Sequence, residues 1–120
     1  MSFLSIIFTA IVAIEHLYFL MLEMFFWTKP KGIKAFGLKS KEFAEDTKIL
    51  AANQGLYNGF LAAGLIFSII QQSHYFALFF LVCIIIAGMY GGYSTQKIKL
   101  FYLQSIPAIL AALALIFNII

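Results

Sequence analysis

The residues able to do chemistry in this chain are few, and most sit among apolar neighbours. Glu15, His16 and Glu23 lie inside an apolar run from Phe3 to Trp27, while Asn53, Gln54, Tyr57 and Asn58 interrupt a second run. Ionisable groups in hydrocarbon are costly, so such side chains turn toward a protein interior or a polar pathway and commonly serve function there. At about 100° per residue, His16 and Glu23 differ by only about 20° around a helix axis, and Glu15 widens that polar arc to about 100°. Carboxyls and an imidazole on one face suit proton exchange, with the charge state of each depending on its partner. Glu23, His16 and Glu15 are therefore the catalytic candidates. Asn53, Gln54, Tyr57 and Asn58, joined by Tyr90 and Gln104 of the later runs, are the candidates for orienting a ligand. The competing use of the same groups is adhesion, since buried amides and carboxyls also knit helices together.

Other chemistry is poorly served. His16 and Glu23 are about 10.5 Å apart along a helix axis, too far to share one ion, and the Glu-x-x-His spacing of di-iron bundles is missing. No metal and no cofactor are expected. Ser68, Ser73, Ser94 and Cys83 have no general-base partner at a recognisable spacing. Cys83 is the sole cysteine, so it forms no disulfide within the chain and reads as a small buried hydrophobe.

The elements that must position these groups are membrane-spanning helices. Of the 120 residues, 63% are hydrophobic and 11% charged, far below the roughly 25% charge of soluble domains. Four apolar stretches, 3–27, 49–70, 75–93 and 100–119, are each long enough to cross about 30 Å of hydrocarbon, which takes about 20 helical residues. The first lacks a basic leader and carries acids in its interior, so it reads as a retained span rather than a signal peptide. The fold expected is an all-α, membrane-embedded four-helix bundle, a single domain over residues 1–120.

Charge sets its orientation. Connection 28–48 holds Lys29, Lys31, Lys34, Lys39, Lys41 and Lys48, and the third connection holds Lys97 and Lys99, whereas Gln71 to His74 and both tails carry no Lys or Arg. The positive-inside rule then places 28–48 in the cytoplasm and both termini extracytoplasmic. Trp27 suits the interfacial belt, and Pro30 with Gly32 breaks the first helix. Ser40 is placed to cap a helix whose first turns carry Glu42, Glu45 and Asp46, with Lys48 three residues after Glu45. The lysines have anionic lipid headgroups as natural partners. Nucleic acid is not expected, because no aromatic-basic platform accompanies them.

Lipid gives helices no hydrophobic reason to associate, so close packing falls to small residues. Ala51, Gly55, Gly59 and Ala63 recur every fourth residue, and the third stretch offers two ridges, Ala87 with Gly91 and Gly88 with Gly92. Packing inside the bundle is their main expected use; a homodimer interface is the alternative. Across the first two helices, depth counting sets Asn53 and Gln54 level with Glu23, and Asn58 nearer Glu15 and His16. Gln104 joins the shallower layer, and Pro107 frees the Leu103 carbonyl as an acceptor.

The runs from His16 through Glu23 to Trp27, from Leu50 through Asn53 and Asn58 to Gly64, from Ala87 to Gly91, and Gln104-Ser-Ile-Pro107-Ala resemble the bacterial integral-membrane family called domain of unknown function 1304. The resemblance covers nearly the whole chain. It implies a small multi-pass protein and supplies no activity. Two functional readings stay open from the residues. One is a membrane protein that binds or transforms a lipid-like molecule in a polar intramembrane pocket, with membrane lipids and a lipophilic small molecule as partners. The alternative is a proton-coupled transporter or exporter subunit, with an accessory structural role as the bland case.

Overall fold

Five helices follow one another along the chain in the computed structural model, which describes residues 1–119. They are α1 (Phe3–Phe25), α2 (Pro30–Phe36), α3 (Lys41–Ile70), α4 (His74–Thr95) and α5 (Ile98–Ile119). No strand occurs among the described residues, so the protein is all-α. Three of the helices, α1, α4 and α5, are long and apolar enough to cross a membrane. At about 1.5 Å per residue, even the 22 residues of α4 and α5 reach about 33 Å. The second stretch read from the sequence falls within α3. This helix has the length, at 30 residues, but its charged first turns and the Asn53, Gln54 and Asn58 amides dilute its apolar character.

The connections follow from local chemistry. After α1, Pro30 opens α2 at its first turn, where a missing N–H costs nothing. Gly37 closes α2 with φ 60° and ψ 41°, a left-handed conformation that glycine adopts without penalty. Ser40 then accepts from the Phe43 N–H at 2.9 Å, and Lys48 pairs with Glu45 at 3.2 Å, so the capped, charge-laced start expected for the next helix is present. Ser73 does the same for α4, accepting from Phe76 N–H.

The helices divide into two packing units, one of Met1–Ile14 with Ala63–Ile120 and one of Glu15–Ala62. In the first, α4 and α5 fold back on each other. The buried face of α4 is Ala77, Leu81, Ile84, Gly88 and Gly92, and on α5 Ser105, Ala108, Ala111 and Leu115 are buried. Gly88 and Gly92 let the backbones approach: a Cβ on Gly88 would lie 3.0 Å from Ser105 N, and one on Gly92 3.2 Å from Phe101 Cβ. The Ser105 hydroxyl crosses this seam to the Ile85 carbonyl at 2.9 Å. Of the two ridges offered by α4, Gly88 with Gly92 is thus the one used in this seam, while a Cβ on Gly91 would meet nothing within 4 Å. Near the chain ends, the Asn118 side-chain oxygen Oδ1 accepts from the Ser2 N–H at 3.1 Å and lies 2.6 Å from His74 Nε2.

In the second unit, the end of α1 runs antiparallel to α3. Gly55 faces Met24, Glu23 and Leu20, and Gly59 faces Leu20, so α1 numbers fall as α3 numbers rise. Ala44, Ala51, Gly55, Asn58 and Ala62 are the buried positions of α3 in this unit, whereas Ala63, the next residue, is exposed. The small ridge therefore turns off the strict fourth-residue line. A helix repeats every 3.6 residues, and steps of four and three alternate to stay on one face. Trp27 ties the same unit together, donating from Nε1 to Thr47 Oγ1 at 3.0 Å and lying tilted against Phe36 with ring centroids 5.0 Å apart.

Candidate functional site

Glu23 is the best-defined polar group of the apolar helices. It sits two residues before the end of α1 and is 2% exposed. Asn58 of α3, itself buried, donates from Nδ2 to Glu23 Oε1. Gln54, one turn before Asn58, also hydrogen-bonds the Glu23 side chain. The residue between these amides on the helix surface is Gly55, where a Cβ would stand 3.1 Å from Glu23 Cβ and 2.6 Å from Met24 Cγ. Glycine here removes the bulk that would hold the helices apart, and the amides on either side reach the carboxyl.

Counting set Glu23 level with Asn53 and Gln54, and it does face Gly55, the next residue, with Gln54 among its partners. Its buried partner, Asn58, comes from one turn deeper. The cause is the tilt of side chains toward the N-terminus of their own helix. On antiparallel helices these tilts are opposed. Glu23 leans away from the connection between α1 and α3, Asn58 leans toward it, and they meet over Gly55.

The remaining candidates scatter. His16 is fully buried two turns before Glu23, with its ring edge-on to Phe19 at 5.2 Å. Glu15 is half-buried, and its Oε1 is enclosed without a hydrogen-bond partner among the described residues. Asn53 lies exposed on α3. Tyr57 is exposed too, its ring tilted against Phe60 at 6.1 Å. Tyr90 is an exposed residue of α4, and Gln104 is half-buried on α5 beside Gly88. The structure thus joins Glu23, Asn58 and Gln54 and leaves Asn53 and Tyr57 on the outer side of α3.

Sequence reasoning gave the small hydroxyls no packing role. Ser5, Ser68 and Ser105 are fully buried and donate to the carbonyls of Ala114, Gly64 and Ile85. Thr9 is buried with no partner for its hydroxyl among the described residues. Their signal was weak, because Ser and Thr satisfy themselves on a neighbouring turn and tolerate apolar surroundings. An open groove of about 740 Å³ also lies among Gly64 and Phe67 of α3 and Phe76, Phe79 and Phe80 of α4. No carboxyl or imidazole lines it, so it offers apolar contact and no acid–base chemistry.

Among the described residues no cluster of three or more His, Cys, Asp or Glu side chains is placed to hold a metal ion. Glu23 instead meets neutral amides, an arrangement that orients a carboxyl and leaves its remaining acceptor capacity for a further donor.

Comparison with known proteins agrees with the resemblance carried by these helices. The uncharacterized protein YpaA of Lactococcus lactis subsp. lactis (strain IL1403) is 32% identical over 120 residues, spanning 98% of this chain and 100% of that protein. No solved structure matches the chain. Residues 10–116, which take in Glu15, His16, Glu23 and the whole amide series of α3, match the family described as protein of unknown function (DUF1304), and the chain belongs to that family.

Proposed function

We propose that this protein crosses the bacterial cytoplasmic membrane four times as a four-helix bundle, with both termini outside and 28–48 inside, and binds a lipid-like molecule at the Glu23–Asn58 site. α3 supplies the fourth span in this reading. Two of its three amides, Asn58 and Gln54, are engaged by Glu23 rather than left to lipid. The distribution of lysines between the apolar helices supports the orientation.

The observation that carries the functional reading is a buried carboxyl held by amides near one end of a spanning helix. Two helices converge on Glu23, and a ligand with an apolar body and a hydroxyl or amine head matches both its surroundings and its free acceptor capacity. Asn53 and Tyr57, on the outer side of α3, are positioned to meet such a molecule arriving laterally from the bilayer. Glu23 is the group that exchanges a proton with the ligand head, and His16 and Glu15 are the deeper ionisable groups of the same helix. Transformation of the ligand, if it follows binding, draws on these three.

Ligand-dependent thermal stabilisation tests the reading. Wild-type protein in mild detergent is titrated with lipid extract of the source cells, beside Glu23→Gln and His16→Ala. Glu23→Gln keeps an acceptor for Asn58 and is expected to fold while losing stabilisation by the extract. Unchanged folding and unchanged stabilisation in both variants overturn the site.

A further inference from the structure

The lysines around α2 are a second feature, independent of the Glu23 site. Lys29, Lys31, Lys34, Lys39 and Lys41 are all exposed and fall within thirteen residues that contain no acid. Among the described residues none of the five pairs with a carboxylate; the one ion pair is that of Lys48 with Glu45. Two of them lie on aromatic rings, Lys31 Nζ at 5.5 Å from the Tyr18 ring and 5.9 Å from the Phe26 ring, and Lys39 Nζ at 4.9 Å from the Phe43 ring.

The backbone carrying these charges is held in place. Gly32 is buried against the turn that ends α1, where a Cβ would stand 3.0 Å from Trp27 Cα. Phe36 packs at a tilt against Trp27, and Trp27 is hydrogen-bonded to Thr47 near the start of α3. Gly37 and Leu38 N–H groups close the end of α2 on the Ile33 carbonyl. A short helix fixed beside the end of a membrane span therefore presents lysines that lack an internal counter-charge. Tyr18 and Phe26 draw Lys31 back toward that helix.

We propose that α2 and its flanking lysines form a docking surface for the phosphate headgroups of anionic phospholipids in the adjoining leaflet. Charge complementarity selects the partner. Lysine ammoniums bind phosphate as point charges, Trp27 and Phe36 fill the interfacial layer, and the clamp at Gly32 keeps the lysines at one depth. Anionic lipid is thereby enriched around the end of α1.

The test is electron spin resonance on the full chain reconstituted in phosphatidylcholine vesicles, with spin-labelled phosphatidylglycerol or phosphatidylcholine as the probe. The motionally restricted fraction gives the relative association of the two lipids. Wild-type protein is expected to prefer phosphatidylglycerol, and the combined Lys29→Gln, Lys31→Gln and Lys34→Gln variant to lose that preference by about fivefold or more, the worth of at least one lysine at a membrane surface. Lys97→Gln with Lys99→Gln, in the other lysine-bearing connection, is expected to keep most of it. For wild type alone, raising salt from about 0.05 M to 0.5 M is expected to erode the preference as charges are screened. A wild-type protein without preference, a triple variant that retains it, or a preference unmoved by salt overturns the proposal.

Discussion

Asn58 of α3 donates its amide to the carboxyl of Glu23 on α1, directly beside the point where Gly55 lets the two helices touch. Close packing and polar pairing thus occupy one place. Without a side chain at position 55 the helices approach, and because they approach, the opposed tilts of Glu23 and Asn58 end on one another. Removing either condition removes both.

Coupling between the pair is the first expectation. In a double-mutant cycle of Glu23→Leu and Asn58→Leu, the two changes together are expected to cost less than the sum of the singles, because each single leaves a buried partner unsatisfied. Interhelical hydrogen bonds in membranes average about 0.6 kcal/mol and reach about 1.7 kcal/mol, so a coupling of about 1 kcal/mol is expected. Unfolding in mixed micelles measures it.

Glycine substitutions separate used from unused ridges. Gly88→Ala is expected to destabilise, since Ser105 occupies the space its Cβ would enter, and Gly55→Ala is expected to do so against Met24 and Glu23. Gly91→Ala is expected to be neutral or to stabilise by up to about 1 kcal/mol, the helix-propensity gain of alanine over glycine. Thermal unfolding of the three variants ranks them, and a destabilised Gly91→Ala would point to packing on the open side of α4.

At the chain ends, Asn118 accepts from Ser2 and lies within hydrogen-bond distance of His74. Asn118→Ala is expected to free those groups and accelerate amide exchange around residues 2–5 and at the start of α4, leaving Glu23 and its neighbours protected. Hydrogen-exchange mass spectrometry resolves the two regions.

Orientation can be read with single cysteines in a Cys83→Ala background. Ala35→Cys on α2 and Gln71→Cys before α4 both replace exposed residues. In intact cells a membrane-impermeant maleimide is expected to label position 71 and to reach position 35 only after the membrane is opened. The reverse pattern would invert the proposed topology.

Much of this was legible from residue spacing, and the parts that were not have physical causes. The Ser40 cap and the Glu45–Lys48 pair are local, so three-residue spacing sufficed to find them. Glu23 and the α3 amides stood out because polar groups are rare in apolar runs. Depth counting set Gln54 level with Glu23, but it did not foresee Asn58, which side-chain tilt brings to the same carboxyl from one turn deeper. Ala63 left the small ridge because four-residue steps drift off a 3.6-residue helix. α2 escaped notice within connection 28–48 because seven residues bear too little periodicity to mark a helix. Asn53 is the same residue type as the buried Asn58, and only the three-dimensional face separates them.

Native mass spectrometry of gently purified protein tests the central claim most directly. The wild-type chain is expected to carry one lipophilic adduct of defined mass through purification. Glu23→Gln, with its helices intact by circular dichroism, is expected to lose that adduct while keeping the nonspecific lipid adducts common to both proteins. A wild-type protein with nonspecific lipid alone, or a Glu23→Gln protein that retains the defined adduct in full, would contradict a ligand site at Glu23.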